Sequence, residues 1–205
     1  MNDTKSSTKE EQRPMDVTIL GYLQELMDVS AVEAAALMPL MEWRRFEKKE
    51  LIITAGEQED YLNLVISGLV RKFICKGNNE YTLQLATEGH IVHSEISYLR
   101  REPSVVQLEA LEPTLLLSLS HDHMQYALDH LPGADRMGRM LITCMLLKKD
   151  ERQFKQLRLS TRQRFIDYLQ NHPHMLQRVP QKYLASYLNI KPETFSRLKH
   201  LLKGK

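Results

Sequence analysis

The chain has 205 residues, of which 42% are hydrophobic and 26% are charged, and its net charge is +2. These proportions are typical of a water-soluble globular protein of one or two domains, and no apolar run is long enough to span a membrane. Only two cysteines, Cys75 and Cys144, are present. Two distant cysteines disfavour a disulfide scaffold, cannot build a four-cysteine iron–sulfur site, and favour a reducing cytoplasm.

The chain is predicted to begin with a tail and then helices. Residues 1–14 are polar, without the apolar core of a secretion signal, and we expect them to form a flexible tail. From Val17 to Trp43 the apolar residues recur at helical spacing. One helix face is formed by Ile19, Leu20, Leu23, Leu26 and Met27, and an alanine-rich stretch runs from Ala31 to Met41.

Six short runs rich in β-branched and aromatic residues follow, and turn residues such as Gly56, Gly68 and Gly89 separate them. The runs are Leu51–Thr54, Leu62–Ile66, Val70–Cys75, Tyr81–Ala86, Val105–Leu108 and Thr114–Ser118. Short strands joined by glycine turns predict a small antiparallel barrel or jelly roll over about residues 45–120.

The same region offers no site for a metal or for catalysis. The histidine pairs His90/His93 and His121/His123 lack a third ligand at a useful spacing, so we expect surface or capping roles for them. No phosphate-binding glycine loop, nucleophile with a base, or zincin motif is present. We therefore expect no cofactor, no metal and no enzymatic activity, and a redox role for Cys75 or Cys144 has no support.

A short helix from Asp122 to His130 is predicted to lead, after a break at Leu131–Gly133, into one long helix from Ala134 to about Lys155. The long helix is apolar on two faces, which favours pairing with a second copy. The predicted dimer seam consists of Met137, Met140, Leu141, Cys144, Met145 and Lys148. The other apolar residues, Ile142, Leu146 and Leu147, are expected to pack on the β-domain of their own chain.

The last part of the chain predicts three more helices. Ser160 can cap the first of them, with Gln163 reaching back in a capping box, and Pro173 ends it. Pro180 and Pro192 each suit the first turn of a further helix. Asn189 between these two helices tolerates the left-handed conformation of a tight turn. This arrangement predicts a helix-turn-helix.

Charge separates this helix-turn-helix from an ordinary helical hairpin. Residues 151–205 contain twelve Lys/Arg and three acids, a balance of +9, and because the whole chain is +2 the remaining residues carry −7. A basic end on an acidic body is typical of a DNA-binding module. Its second helix turns Glu193, Thr194, Ser196 and Arg197 away from its apolar face, where they can reach base edges and phosphates.

The order of these elements resembles the transcription regulators of the CRP/FNR superfamily over nearly the whole chain. The more specific matches are Glu50–Gly56 (ELIITAG), the Gly68 turn, and Leu184–Arg197 (LASYLNIKPETFSR). Glu193, Ser196 and Arg197 match the Glu-x-x-Ser-Arg pattern with which FNR-type recognition helices read bases. Many relatives continue into a two-stranded wing. Here little or no wing is expected, so that Lys182, Lys191, Lys199, Lys203 and Lys205 would contact phosphates.

The resemblance also implies that the β-roll is a cyclic-nucleotide-binding fold. In such folds a glutamate takes the ribose hydroxyl and an arginine neutralises the cyclic phosphate. Glu95 could fill the first role, but the arginine is absent. The matching pocket residues are Ser94, Glu95, Ser104, Val105 and Val106. Because a desolvated phosphate without a cation is costly, we expect no tight binding of cyclic AMP.

Two alternatives stay open. Arg100 and Arg101 could replace the missing arginine in a rearranged, cyclic-nucleotide-dependent pocket. Otherwise the β-roll could be a sensor or interaction module for an unknown ligand or protein partner. The sequence leaves the operator, the controlled genes and the sign of regulation open.

The predicted fold class is α+β. Residues 15–133 form a cyclic-nucleotide-binding-like β-roll with flanking helices, residues 134–157 a long dimerisation helix, and residues 158–205 an all-α helix-turn-helix domain. The expected partners are double-stranded DNA bearing an inverted repeat and a second copy of the chain. The resemblance adds RNA polymerase and an unidentified small-molecule effector, and no membrane is expected.

Overall fold

The computed structural model describes residue 21 and residues 30–203, with side chains as far as residue 200. The tail predicted for residues 1–14 and the helix face from Ile19 to Met27 lie outside this part of the chain. Contacts divide the chain into two units, Met1–Glu42 with Leu119–Lys148, and Trp43–Ser118 with Lys149–Lys205. No described helix is long and apolar enough to cross a membrane.

Eight strands form the β-region. They are β1 (Met41–Phe46), β2 (Leu51–Ile53), β3 (Tyr61–Ser67), β4 (Val70–Lys76), β5 (Asn79–Ala86), β6 (Ile91–Val92), β7 (Gln107–Ala110) and β8 (Thr114–Ser120). One sheet has the order β1-β8-β3-β6 and the other the order β2-β7-β4-β5. Strand β4 pairs antiparallel with both β5 and β7.

The β-region has a core of small aliphatic side chains. Its buried members are Ile53, Val65, Val70, Ala86, Val92, Leu108 and Leu116. These residues come from both sheets, because successive side chains of a strand point to opposite faces and the inward ones meet between the two sheets. The six predicted strands are confirmed, although β7 begins two residues later than expected. The short strands β1 and β6 were not predicted.

The helices of the described chain are named in order. They are α1 (Ala31–Leu37), α2 (Glu95–Arg100), α3 (His121–His130), α4 (Ala134–Arg158), α5 (Thr161–Asn171), α6 (Met175–Arg178), α7 (Gln181–Tyr187) and α8 (Pro192–Lys203). The prediction that the first helical region extends to Trp43 is wrong. A short 3₁₀ turn containing Pro39 follows α1, and the chain becomes extended at Met41, because proline cannot continue a helix with a backbone hydrogen bond.

Within the first unit, an ion pair between Glu33 and Arg136 joins α1 to the first part of α4. The Ser30 side chain caps α1 in a reciprocal box with Glu33. Two oxygens of Glu33 also accept hydrogen bonds from Arg136 at 2.8 and 3.0 Å. The Arg136 hydrogen bond is the largest cause that lowers the pKa of Glu33 to about 2.

The C-terminal helices pack around aromatic side chains. Phe165 of α5 and Phe195 of α8 are buried with ring centroids 5.0 Å apart in an edge-to-face arrangement. The predicted capping box at the start of α5 is present, since Ser160 and Gln163 bond to each other's backbone. Asn189 has a φ of 53°, which is the predicted left-handed turn between α7 and α8. The short helix α6 was not predicted.

Candidate functional site

Helix α8 packs on an apolar cluster through one face and exposes the opposite face to solvent. Phe195 is buried, and Leu198 packs on the same apolar cluster, which also contains Leu184 and Ala185 of α7. Because residues three and four apart lie on one face of a helix, the positions between these anchors point outward. Glu193, Ser196 and Arg197 are exposed and Thr194 is half-buried. The four residues predicted to face DNA therefore lie on one accessible side of α8.

The outward side chains of α8 make few contacts within the chain. Arg197 Nη2 donates to Thr194 Oγ1 at 3.4 Å, a long hydrogen bond that costs little to break. Lys182 and Lys191 are exposed and Lys199 is half-buried. The Lys182 ammonium lies 4.6 Å from the ring centroid of Tyr183. The predicted contacts of Lys203 and Lys205 lie outside the described side chains.

Other basic residues of the C-terminal region are directed inward. Arg164 donates to the carbonyl oxygens of Leu188 at 3.1 Å and Asn189 at 3.2 Å, in the turn between α7 and α8. It also donates to the carbonyl of Leu159 at 2.7 Å, just beyond the end of α4. Its guanidinium therefore ties the end of α4 to the turn of the helix-turn-helix.

Arg152 and Lys155 are similarly engaged. Arg152 stacks on the Tyr187 ring at 4.1 Å and donates to the Tyr187 carbonyl at 3.1 Å, and burial lowers the pKa of Arg152. Lys155 pairs with Asp167 at 2.9 Å. The balance of +9 thus overstates the charge that this region presents to a partner.

The residues predicted for a ligand pocket bond to one another. Ser94 and Ser104 are buried, and Ser104 Oγ donates to Ser94 Oγ at 2.9 Å. Val106 is buried and its carbonyl accepts from the same Ser104 hydroxyl at 2.8 Å. Val105 points away and is 68% exposed. The structure brings Ser94, Ser104 and Val106 together, and the Ser104 hydroxyl bonds to both of the other residues.

Lys72 of β4 is a buried cation beside this loop. Its ammonium donates to the His93 carbonyl at 2.8 Å and forms an ion pair with Glu95. Burial lowers the pKa of Lys72. Burial is the largest single effect on Glu95 and raises its pKa, but the charge and the hydrogen bond of Lys72, together with smaller contributions, lower the pKa of Glu95 overall. Sequence analysis missed Lys72, because nothing in a strand pattern distinguishes a buried lysine from an exposed one. Glu95, the predicted ribose ligand, is therefore already paired.

A second carboxylate, that of Glu59, lies beside Ser94, the residue that precedes α2. Glu59 is buried and accepts from the Ser94 backbone N–H at 3.3 Å and from the Tyr61 N–H at 3.1 Å. Burial raises the pKa of Glu59. Arg101, considered as a substitute phosphate ligand, donates to the Glu59 carbonyl at 2.8 Å and pairs with Asp60. The Ser94 N–H of the loop therefore already bonds to the Glu59 carboxylate, and Arg101 of the loop already pairs with the Asp60 carboxylate.

The histidines and cysteines do not form a metal site. No group of three or more His, Cys, Asp or Glu with metal-binding geometry occurs in residues 21 and 30–203. His93 is buried against the Tyr98 ring, and burial lowers the pKa of His93 to about 4. His123 Nδ1 lies 2.7 Å from the Leu40 carbonyl, as a capping histidine would. Cys75 is exposed and Cys144 is half-buried.

The long helix α4 exposes a different apolar face from the one predicted. Met137 and Leu141 are buried, and Ile142, Leu146 and Leu147 are each more than half exposed. The expectation that these last three residues are the inward face of the helix is wrong. Of the other predicted seam residues, Met140, Cys144 and Met145 are half-buried and Lys148 is exposed. Exposed Phe154 and Leu157 continue the apolar face toward the end of α4.

Comparison with known proteins identifies the β-region. Residues 43–130 match the family described as the cyclic nucleotide-binding domain. No curated protein matches the sequence.

Solved structures match most of the chain. The regulator CLP of Xanthomonas campestris, described as responsive to c-di-GMP, aligns with a TM-score of 0.65 at 18% identity over 85% of this chain and 92% of its own. The Catabolite Activator Protein of Thermus thermophilus aligns with a TM-score of 0.54 at 24% identity over 89% of this chain and 86% of its own. FixK2 of Bradyrhizobium japonicum gives 0.64 at 17% identity, over 80% and 84%. The predicted fold class, an antiparallel β-roll with flanking and C-terminal helices, is confirmed.

Proposed function

We propose that this chain, which contains a cyclic nucleotide-binding domain and has the fold of the CRP/FNR transcription regulators, binds double-stranded DNA as a dimer without responding to cyclic AMP. One observation carries the proposal: the face of α8 with Glu193, Ser196 and Arg197 is open to solvent, while its opposite face is buried. Lys182 in the first turn of α7 and Lys191 directly before α8 are exposed. The helix can therefore enter a major groove while neighbouring lysines contact phosphates.

Each residue of this face has a role that its chemistry allows. Arg197 donates in pairs to a guanine edge, Glu193 accepts from the cytosine amino group, and Ser196 bonds either kind of base edge. Thr194 and the lysines bind phosphates and fix the register of the helix. Arg152, Arg164 and Lys155 are excluded from this set because their charged groups are used within the chain.

Pairing through α4 would give the two recognition helices the spacing that DNA requires. The exposed apolar side chains of this helix are Ile142, Leu146, Leu147, Phe154 and Leu157. A patch of this kind on a helix is typical of a surface that another chain covers. A symmetric dimer reads an inverted repeat whose half-sites lie one helical turn, about 34 Å, apart.

The contacts of the loop support the proposed lack of a cyclic AMP response. The polar groups of Glu59, Ser104 and Lys72 around the loop already bond to other residues of the chain. A cyclic phosphate would have to displace these partners without gaining a bidentate arginine. The description of CLP as responsive to c-di-GMP indicates that this fold accommodates effectors other than cyclic AMP. An effector of another chemical class remains compatible with the β-roll.

The test is selection of duplexes from a random DNA library by the purified chain, followed by affinity measurements. We expect an inverted repeat with one-turn spacing, and Arg197→Ala should cost ~1–3 kcal/mol and relax the preference at one position of each half-site. The matched control is Arg45→Ala, which removes one exposed arginine from β1 and should leave affinity unchanged. Equal binding of selected and scrambled duplexes by the wild type would refute DNA recognition.

A further inference from the structure

The helix-turn-helix is fastened to the β-roll by Arg178, the last residue of α6. Its guanidinium binds Glu88 through two parallel hydrogen bonds of 2.8 and 2.9 Å. Arg178 Nε also donates to Glu112 at 3.2 Å, and Nη2 pairs with the same carboxylate. A further bond of 2.9 Å from Nη2 reaches the Gly68 carbonyl. One side chain of the C-terminal region therefore bonds to three separate turns of the β-roll.

The geometry makes this a directional contact as well as a charged one. A planar guanidinium that meets a carboxylate through two bonds fixes both distance and orientation. The hydrogen bonds that Arg178 donates to the Glu88 carboxylate raise the pKa of Arg178. Burial raises the pKa of Glu88, but the Arg178 hydrogen bonds and two backbone hydrogen bonds, including that of the Gly68 N–H, together lower the pKa overall. Gly68 has a φ of 101°, and a Cβ there would lie 2.7 Å from the Pro113 carbonyl oxygen, so this turn admits only glycine.

Contacts on α7 extend the attachment. The Ser186 hydroxyl accepts from the Thr82 N–H at 2.9 Å. Buried Arg71 of β4 stacks on the Tyr183 ring at 3.6 Å. The apolar cluster beneath α8 also includes three β-roll leucines, Leu69, Leu85 and Leu111. Residues of α7 thus contact the β-roll, while the outward face of α8 stays accessible.

We propose that Arg178 is a positioning residue that sets the orientation of the recognition helix through the β-roll, without touching DNA. Only Val179 and Pro180 separate Arg178 from the start of α7. Fixing Arg178 on Glu88 and Glu112 therefore fixes where α7 begins, and α8 is packed on α7. This inference rests on the proposed function, because orientation matters only if α8 reads DNA. We call the bonds of Arg178 to Glu88, Glu112 and Gly68 the Arg178 clamp. With this clamp in place the outward face of α8 stays open, so the clamp supports DNA binding and does not block it.

Substitution of the two glutamates that Arg178 contacts distinguishes an effect on helix orientation from an effect of net charge on DNA binding. Glu88→Gln with Glu112→Gln deletes two negative charges, and electrostatics alone would then tighten DNA binding. Positioning predicts the opposite: the selected duplex should bind ~3- to 30-fold more weakly, with scrambled DNA little changed. Arg178→Gln should give the same loss, and the triple variant no further loss. Arg178→Lys, which keeps the charge but not the fork, should recover part of it.

A second readout works without DNA. In a Cys144→Ala background, spin labels on exposed Cys75 of β4 and on Gln170→Cys of α5 report the distance between the β-roll and the helical region. The wild-type distribution should be narrow, Arg178→Gln should broaden it, and Arg178→Lys, which keeps the charge without the fork, should broaden it less. Far-UV circular dichroism and a cooperative melt check that each variant is folded.

The outcomes distinguish the two proposals. If the wild type shows no duplex selectivity while Arg178→Gln broadens the distance distribution, DNA recognition is wrong and the clamp stands. If the wild type selects a duplex and the clamp variants bind it as well as wild type or tighter, the clamp is wrong. A narrow distribution for Arg178→Gln, or additive losses in the triple variant, would also overturn it.

Discussion

The loop from His93 to Val106 and helix α8 use their polar groups in opposite ways. In the loop, Ser94 bonds to Ser104 and Glu95 pairs with Lys72, both inside the chain. In α8 the polar groups face solvent over a buried apolar side. A buried polar group that already has a partner can serve a ligand only if the first bond is broken, at about 1–3 kcal/mol. We therefore propose that α8 is the surface that binds a partner, whereas a ligand of the loop would have to displace bonds within the chain.

The largest effect that can sharpen this contrast comes from His93. In the folded chain His93 is buried against Tyr98, and burial lowers its pKa to about 4 from the ordinary value of 6.5. Because the folded pKa is depressed, this stability is present above pH 6.5 and is lost as the pH falls toward 4. The full difference corresponds to about 3 kcal/mol.

Urea unfolding at pH 7 and at pH 4.5 measures this loss. Wild type should lose about 2–3 kcal/mol more than His93→Gln over the interval, because only the wild type carries the depressed imidazole. The charged groups nearest His93, Glu95 and Lys72, are present in both proteins. The same pH slope for both proteins would mean that the loop is hydrated, and the contrast with α8 would fail.

The next largest effects are expected from a matched pair of substitutions, Lys72→Met beside the loop and Lys191→Met beside α8. Lys72→Met removes a buried cation and leaves Glu95, which is partly exposed, without its partner. It should lower the free energy of unfolding by about 1–2 kcal/mol and leave the salt dependence of DNA binding unchanged.

Lys191→Met makes the same chemical change at an exposed site. It should alter stability by less than about 0.5 kcal/mol but reduce the slope of log affinity against log salt by ~0.9, the loss of one phosphate contact. Stability is measured by urea unfolding and the slope by titration of a fluorescent duplex at several salt concentrations. Equal stability losses, or a change in slope for Lys72→Met, would contradict the assignment.

Local signals explain what the sequence predicted correctly. Ser160 and Gln163 predict their capping box because three residues suffice to define it, and Asn189 marks a turn that few side chains tolerate. The alternating side chains of β5 identify a strand by the same local logic. Strand β1 was missed because its Glu42, Arg44 and Arg45 lack the apolar run by which the other strands were found.

Partners that are distant in sequence explain what was missed. The burial of Lys72 depends on Glu95, and the role of Arg178 depends on Glu88 and Glu112. No pattern within one element specifies such pairs. Helix α4 shows the same limit in another form: with apolar residues on both faces, periodicity could not assign Leu141 to the inside and Leu146 to the outside.

The smallest expected effect is also the strictest test of the loop. Cyclic AMP at saturating concentration should leave the melting temperature unchanged, because Glu59 and Ser104 already satisfy the polar groups at the start of α2. Any ligand that binds only the folded chain must stabilise it, by about 2.7 kcal/mol at one hundred times its dissociation constant. An absence of shift therefore has a defined meaning and is measured by differential scanning fluorimetry. The selected duplex is the positive control, since it should raise the melting temperature. A clear upward shift with cyclic AMP would show that the bonds within the loop open readily, and the loop would then be a second binding site like α8.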